Sequence, residues 1–229
     1  MLLGRKPQIT AHKGKNFTLL FTPEGKKLAP SIKKTLSSIS DDVAGNIHKK
    51  TIHGRFLPQA AKLSHKHEFM SAVKQSAISE HIPRPYALLL REKNRAYFWN
   101  EKFNGKVWGG FSFRNNYEKN NIFSAIFNEA DKLAKNGLLP IDFRPWNMLL
   151  KRTQKGIDFR FIDTSVKPRD IGMLNAYLVR ANMPPLPEST PIRRAQRWYL
   201  RLPLKSRIRI QEAIIKFAHA KWEEYATWA

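Results

Sequence analysis

Asp142 and Asn147 stand five residues apart in Leu139-Pro140-Ile141-Asp142-Phe143-Arg144-Pro145-Trp146-Asn147-Met148-Leu149-Leu150, and Asp163 closes Phe161-Ile162-Asp163 sixteen residues after Asn147. A carboxylate, a carboxamide and a second carboxylate in that order suit phosphoryl transfer. The first accepts a hydroxyl proton, and the other two supply oxygens to a metal ion that neutralises charge on the transferred group. Arg144, two residues past Asp142, is placed to reach a transferring or substrate phosphate; the alternative is a surface arginine packing on Trp146.

The apolar triplet after Asn147 and the alternation of Phe159-Arg160-Phe161-Ile162 predict two short strands that pair as a hairpin. Such a hairpin brings Asp142, Asn147 and Asp163 into one cleft. Upstream, Phe123, Ile126, Phe127, Ala130, Leu133 and Ala134 recur at helical spacing, and Gly137 ends the run. That helix feeds directly into the Asp142 loop.

Earlier in the chain, strands are expected over 17–21, 47–52, 56–63, 86–90 and 95–99, and helices over 28–39 and 65–81. The turn-rich segment 100–106 suits a hinge, which divides the chain into a strand-rich part, 1–100, and a helical part, 101–229. Beyond Asp163, helices are expected over 173–181, 192–202 and 206–228, with a proline-rich connection at 184–191.

Forty-one Lys and Arg against eighteen Asp and Glu leave a net charge of +23, which points to a polyanionic partner. Seven basic residues and no acidic one lie between Ile192 and Arg209, interleaved with Trp198, Tyr199 and Leu200. That composition suits an anionic membrane surface. With no zinc-finger spacing and no aromatic RNA-binding consensus, no stable nucleic-acid partner is expected. The absence of cysteine excludes thiol chemistry and cysteine–zinc sites. No apolar run is long enough to span a bilayer and the first residues lack a signal-peptide core, so a cytoplasmic protein is expected, peripheral at the inner face of the membrane.

In order, the chain offers Gly54-Arg55-Phe56 leading into Ala60-Ala61-Lys62-Leu63, Glu68 in the following helix, His81-Ile82-Pro83-Arg84-Pro85, the Asp142 to Asn147 loop and Phe161-Ile162-Asp163. Over about residues 15–170 this order resembles the bacterial lipopolysaccharide core sugar kinases, which phosphorylate heptose or Kdo. The resemblance implies an α+β, protein-kinase-like two-lobed fold that uses ATP and Mg²⁺. It implies that Lys62, at the end of a strand, meets the nucleotide phosphates and that Glu68, or Glu80 in its place, orients it. Glu101, in the hinge, is a further nucleotide-binding candidate. Asp142 is then the base, with Arg144 beside it, and Asn147 and Asp163 hold the metal. The acceptor is the lipopolysaccharide core or another phosphorylated glycolipid. Three departures stand out. Pro140 occupies the place where protein kinases carry His, Thr164-Ser165 replaces Phe-Gly after Asp163, and 41–46, where a phosphate-covering loop belongs, has a single glycine. These departures leave open a second class of function, an inactive kinase-like protein that binds anionic membrane or nucleic acid through its basic surface.

Overall fold

The computed structural model describes residues 8–14, 17–35, 47–53, 58–91 and 95–226. The chain is α+β and divides into two compact units, Met1–Phe103 and Asn104–Ala229. The first is built on an antiparallel sheet and the second is mainly helical, as the sequence predicts.

In the first unit, β1 (Thr10–Gly14), β2 (Phe17–Phe21), β3 (Ile47–His53), β4 (Pro85–Arg91) and β5 (Arg95–Glu101) form a five-stranded sheet in the order β1-β2-β4-β5-β3. Because side chains alternate along a strand, the two apolar central strands supply both faces. Leu88, Leu90, Ala96 and Phe98 pack with Phe69, Ala72 and Val73 of α3 (Pro58–Ser76). Ala87, Leu89 and Trp99 pack on the other face with Ile32 of α2 (Ala29–Thr35).

Pro23-Glu24-Gly25 reads as a turn but opens a short helix, α1 (Pro23–Lys27). Thr22 caps it by accepting from the Gly25 amide at 3.1 Å, while its hydroxyl donates to the Pro85 carbonyl at 2.9 Å. A β-carbon on Gly25 would lie 1.8 Å from the Tyr86 carbonyl oxygen, so only glycine fits there.

One expected strand is corrected. Residues 58–63 do not extend as a strand but begin α3, so Lys62 and Glu68 lie on the same helix. The residues Pro58-Gln59-Ala60-Ala61-Lys62-Leu63 explain this: proline suits a helix start and the following residues favour helix over strand. That helix also stops earlier than expected, at Ser76. Gly54-Arg55-Phe56 and the segment 41–46 lie outside the described residues.

In the second unit, β6 (Lys106–Val107), β7 (Met148–Thr153) and β8 (Gly156–Phe161) form a three-stranded sheet, with Met148 opposite Phe161 at one end and Thr153 opposite Gly156 at the turn. The helices are α4 (Asn116–Lys135), α5 (Ile171–Arg180), α6 (Ile192–Arg201) and α7 (Leu204–Ala226). Asn115 caps α4 by accepting from the Glu118 amide at 2.8 Å. The helix ends at Gly137, φ 66°, where the Leu138 amide reaches back to the Leu133 carbonyl at 3.0 Å. That stop turns the chain directly into the loop at 139–147.

An aromatic core centres on Trp222 of α7. Trp108, Phe127 and Phe143 lie 5.6, 5.2 and 5.2 Å from it between ring centroids, and Phe161 lies 6.0 Å from Phe143. Truncating Phe143 to Ala leaves a void at the centre of this cluster, so it should destabilise the protein by about 3–5 kcal/mol in urea unfolding. A change under about 1 kcal/mol would mean that the ring does not anchor the loop.

Arg152 on β7 clamps the hairpin to α4: it pairs with Glu118, with one bond of 3.0 Å to Oε2, and donates to the Ser112 carbonyl at 3.0 Å. Hydrogen bonds from Arg152 and from the Arg114 amide lower the Glu118 pKa to about 2 from 4.5. A carboxylate depressed in the folded state contributes stability above its unfolded pKa and loses it as the pH falls through the folded one. The pair should therefore lose its contribution between about pH 4.5 and 2. Glu118→Gln should flatten the loss of stability over that window, measured by urea midpoints at successive pH values. Parallel curves for the two proteins would remove the pair from the acid response.

Candidate functional site

Residues 141 to 145 bend at Ile141-Asp142 and enter a 3-10 turn at Pro145, with burial that alternates along them. Ile141, Phe143 and Pro145 face inward, whereas Asp142 and Arg144 stay partly exposed. Phe143, 2% exposed, is the nail that holds the loop on the core, and its two neighbours are thereby displayed side by side. Sequence reasoning located Asp142 but overlooked this alternation, which was visible in Ile-Asp-Phe-Arg-Pro.

Two backbone hydrogen bonds lash the loop to the far strand of the hairpin. The Ile141 amide donates to the Ser165 carbonyl and the Ile162 amide donates to the Asn147 carbonyl, each at 3.0 Å. Asp142 follows Ile141 and Asp163 follows Ile162, so these bonds bring Asp142, Asn147 and Asp163 to one end of the β7–β8 hairpin. The predicted hairpin is thus present.

The Asn147 amide nitrogen donates to the backbone carbonyl of Asp142 at 2.8 Å. A carbonyl accepts and never donates, so this bond assigns the carboxamide orientation and leaves Oδ1 as an acceptor-only oxygen. The Asp163 carboxylate accepts from the Ser165 amide at 3.2 Å and pairs with Arg169, whose Nη2 lies 3.0 Å from Oδ1 and 2.9 Å from Oδ2. The oxygen donors of Asn147 and Asp163 suit Mg²⁺, which takes one or two protein oxygens and completes its shell with water and phosphate. Among the described residues no group of three or more His, Cys, Asp and Glu side chains forms a metal cage.

Asp142 pairs with Arg144, whose Nε is 2.8 Å from Oδ1. The approach lacks hydrogen-bond alignment, since Oδ1 is buried and accepts no hydrogen bond among the described residues. Arg144 also lies 5.0 Å over the Trp146 ring and reaches the Met173 sulfur at 3.2 Å. Of the two alternatives for Arg144 the packing on Trp146 is present, and the charge faces Asp142.

Arg169 and Met173 were missed by sequence reasoning. The signal for Arg169 was a lone basic residue in Lys167-Pro168-Arg169-Asp170, shortly after Asp163. Lys62, Glu68 and Glu101 all lie in the first unit. Glu68 is half-buried on α3. Glu101, at the end of β5, accepts from the Arg84 amide at 3.3 Å, and its own amide donates to the Arg84 carbonyl at 2.8 Å. That places Glu101 as a brace between β5 and the chain entering β4.

The basic C-terminal arginines divide into two groups. Arg193, Arg194, Arg197 and Arg201 are exposed on α6, whereas Arg209 donates to the Ala181 carbonyl at 2.7 Å and Arg207 is half-buried with Nε out of solvent. Reversing all of them would therefore disturb packing as well as charge.

No family model matches this chain, and no curated protein matches it. Among solved structures, it is similar to the Rio2 kinase of Chaetomium thermophilum, crystallised as an ADP/Mg²⁺-phosphoaspartate complex, at 15% identity and a TM-score of 0.38 over 95% of this chain and 70% of that one.

Asn147→Ala removes the donor to the Asp142 carbonyl and should lower stability by about 0.5–1.5 kcal/mol, read from the urea midpoint. An unchanged midpoint would show that the loop does not rely on this bond.

Proposed function

We propose that the second unit carries a phosphoryl-transfer centre that passes the terminal phosphoryl group of ATP to a sugar hydroxyl on a phosphorylated glycolipid, of which the heptose or Kdo of a lipopolysaccharide core is the example. The observation that carries this reading is the Asn147 bond to the Asp142 carbonyl at the end of a hairpin that also delivers Asp163. It ties the Asn147 carboxamide to the backbone of Asp142, so the two residues that phosphoryl transfer uses in this order belong to one turn of chain.

On this reading Asp142 orients the acceptor hydroxyl and takes its proton as the bond to phosphorus forms. Arg144, with Nε 2.8 Å from Asp142 Oδ1, offers its guanidinium to the phosphoryl oxygens. Asn147 Oδ1 and the Asp163 carboxylate hold Mg²⁺, which when bound supplies charge neutralisation on the nucleotide phosphates. Lys62 and Glu68 stand six residues apart on α3 and do not share a helical face, so the pairing of a strand lysine with a helix glutamate is not part of this reading. The basic surface holds the protein against the inner face of the cytoplasmic membrane, where each Lys or Arg near an anionic surface contributes about 1 kcal/mol. Among the described residues no helix is long and apolar enough to cross a membrane.

A second reading, a kinase-like protein that binds but does not turn over, is favoured by Arg169. Its guanidinium takes both oxygens of Asp163, which are the ones a metal ion needs.

Nucleotide binding and transfer separate the two. ATP with Mg²⁺ should raise the melting temperature of the wild type, by mass action on the folded state. Asp163→Ala should abolish that shift. Asp142→Asn should keep it and lower kcat by roughly two powers of ten or more on a lipopolysaccharide-core acceptor. A wild-type shift without transfer to any sugar acceptor would establish the second reading, and turnover in Asp163→Ala would remove the centre from this hairpin.

A further inference from the structure

The outward side of α6 concentrates charge in a way that costs the fold stability. Arg194, Arg197, Trp198 and Arg201 recur at the spacing of one helical face, while Ala195 and Tyr199 on the opposite face are buried. Arg193 with Arg197 and Arg197 with Arg201 are like charges four residues apart, an arrangement that destabilises a helix. Arg193 and Arg194 also stand in the first turn, where the helix dipole disfavours cations, and no acidic residue offsets them there. Among the described residues none of these four arginines takes part in an ion pair. The surface is therefore built to receive negative charge from outside the chain.

A groove of about 390 Å³ follows the same residues, lined by Arg194, Arg197, Trp198, Arg201, Leu202 and Pro203. Three guanidinium groups border it, and Trp198 with Leu202 gives it an apolar wall. Its corner is also the amino end of α7, where the Ser206 and Arg207 amides turn back to the Pro203 carbonyl at 3.0 and 3.1 Å. Pro203 brings no side-chain acceptor to cap that helix. Gln196 donates to the Pro168 carbonyl at 2.7 Å, and buried Tyr199 accepts from Gln211 at 2.9 Å, so the helix is firmly seated.

We propose that this groove is a binding site for a phosphomonoester, with the phosphate held between Arg194, Arg197 and Arg201 and the body of the ligand laid against Trp198. Guanidinium forks match phosphate oxygens in pairs, which lysines in the same places would not. The site stands on its own residues and does not rest on the phosphoryl-transfer reading.

The test uses the full chain and two sources of the same chemistry. Calorimetric titration with inorganic phosphate should show binding that weakens at least tenfold in Arg194→Gln/Arg197→Gln and is retained in Lys132→Gln/Lys135→Gln, which loses the same charge from α4. Arg194→Lys/Arg197→Lys keeps the charge without the fork and should fall between the two. Thermal unfolding of each variant confirms that it is folded. Co-sedimentation with phosphatidic acid vesicles, against phosphatidylcholine vesicles, distinguishes the sources: loss in the same glutamine variant identifies a lipid headgroup, and binding to phosphate without vesicle binding identifies a free phosphorylated ligand. Equal weakening in the α4 control, or no weakening in the α6 variant, overturns the site. Tighter binding to a single-stranded oligonucleotide than to either phosphate probe, lost in the same variant, overturns it in favour of nucleic acid.

Discussion

The insertion of Phe143 beside Trp222 is the contact on which the display of Asp142 and Arg144 depends. The loop that carries Asp142 and Arg144 between α4 and β7 has one 3-10 turn of its own, at Pro145–Asn147. It acquires a definite shape because every second residue is apolar and finds the core. Burial of Ile141, Phe143 and Pro145 leaves Asp142 and Arg144, the positions between them, partly exposed. The Ile141–Ser165 and Asn147–Ile162 bonds then hold the loop and the strand end together.

Electrostatics on this platform are balanced residue by residue. Each of the two carboxylates has an arginine close by, Arg144 for Asp142 and Arg169 for Asp163. The two pairings differ in kind. Arg144 is pinned by Trp146 and Met173 and is a fixed part of the loop, whereas Arg169 is about half exposed and reaches Asp163 from solvent. An incoming cation would meet competition only at the second.

Much of this was legible in the sequence where periodicity and chemistry agreed. The hairpin could be read because an apolar triplet, Met-Leu-Leu, and an alternating Phe-Arg-Phe-Ile flank a turn, and α4 because its apolar spacing ends at a glycine. The two central strands of the first unit, 86–90 and 95–99, were equally plain. Of the strand expected over 56–63, residues 58–63 are helical instead, because Pro58 and the alanines after it set a helical start. Long-range partners were not legible at all. Nothing local to Glu118 announces Arg152, and nothing near Leu139 announces Gln211, whose Oε1 accepts the Leu139 amide at 3.0 Å. Such pairs exist only once the elements have packed, so no local pattern could reveal them.

Because Trp222 and Gln211 both belong to α7, the order of synthesis has a bearing on when the centre forms. The Asp142 loop is made some 80 residues before the tryptophan that receives Phe143. At about 5–20 residues per second on the ribosome, that interval is several seconds or more. Throughout it, Phe143, Phe127 and Phe161 lack the ring at their centre. A nascent chain halted before α7 would therefore present a cluster of unsatisfied aromatic surface, which is what chaperones recognise. The last helix thus sets the moment at which the charged groups of the loop first take their places.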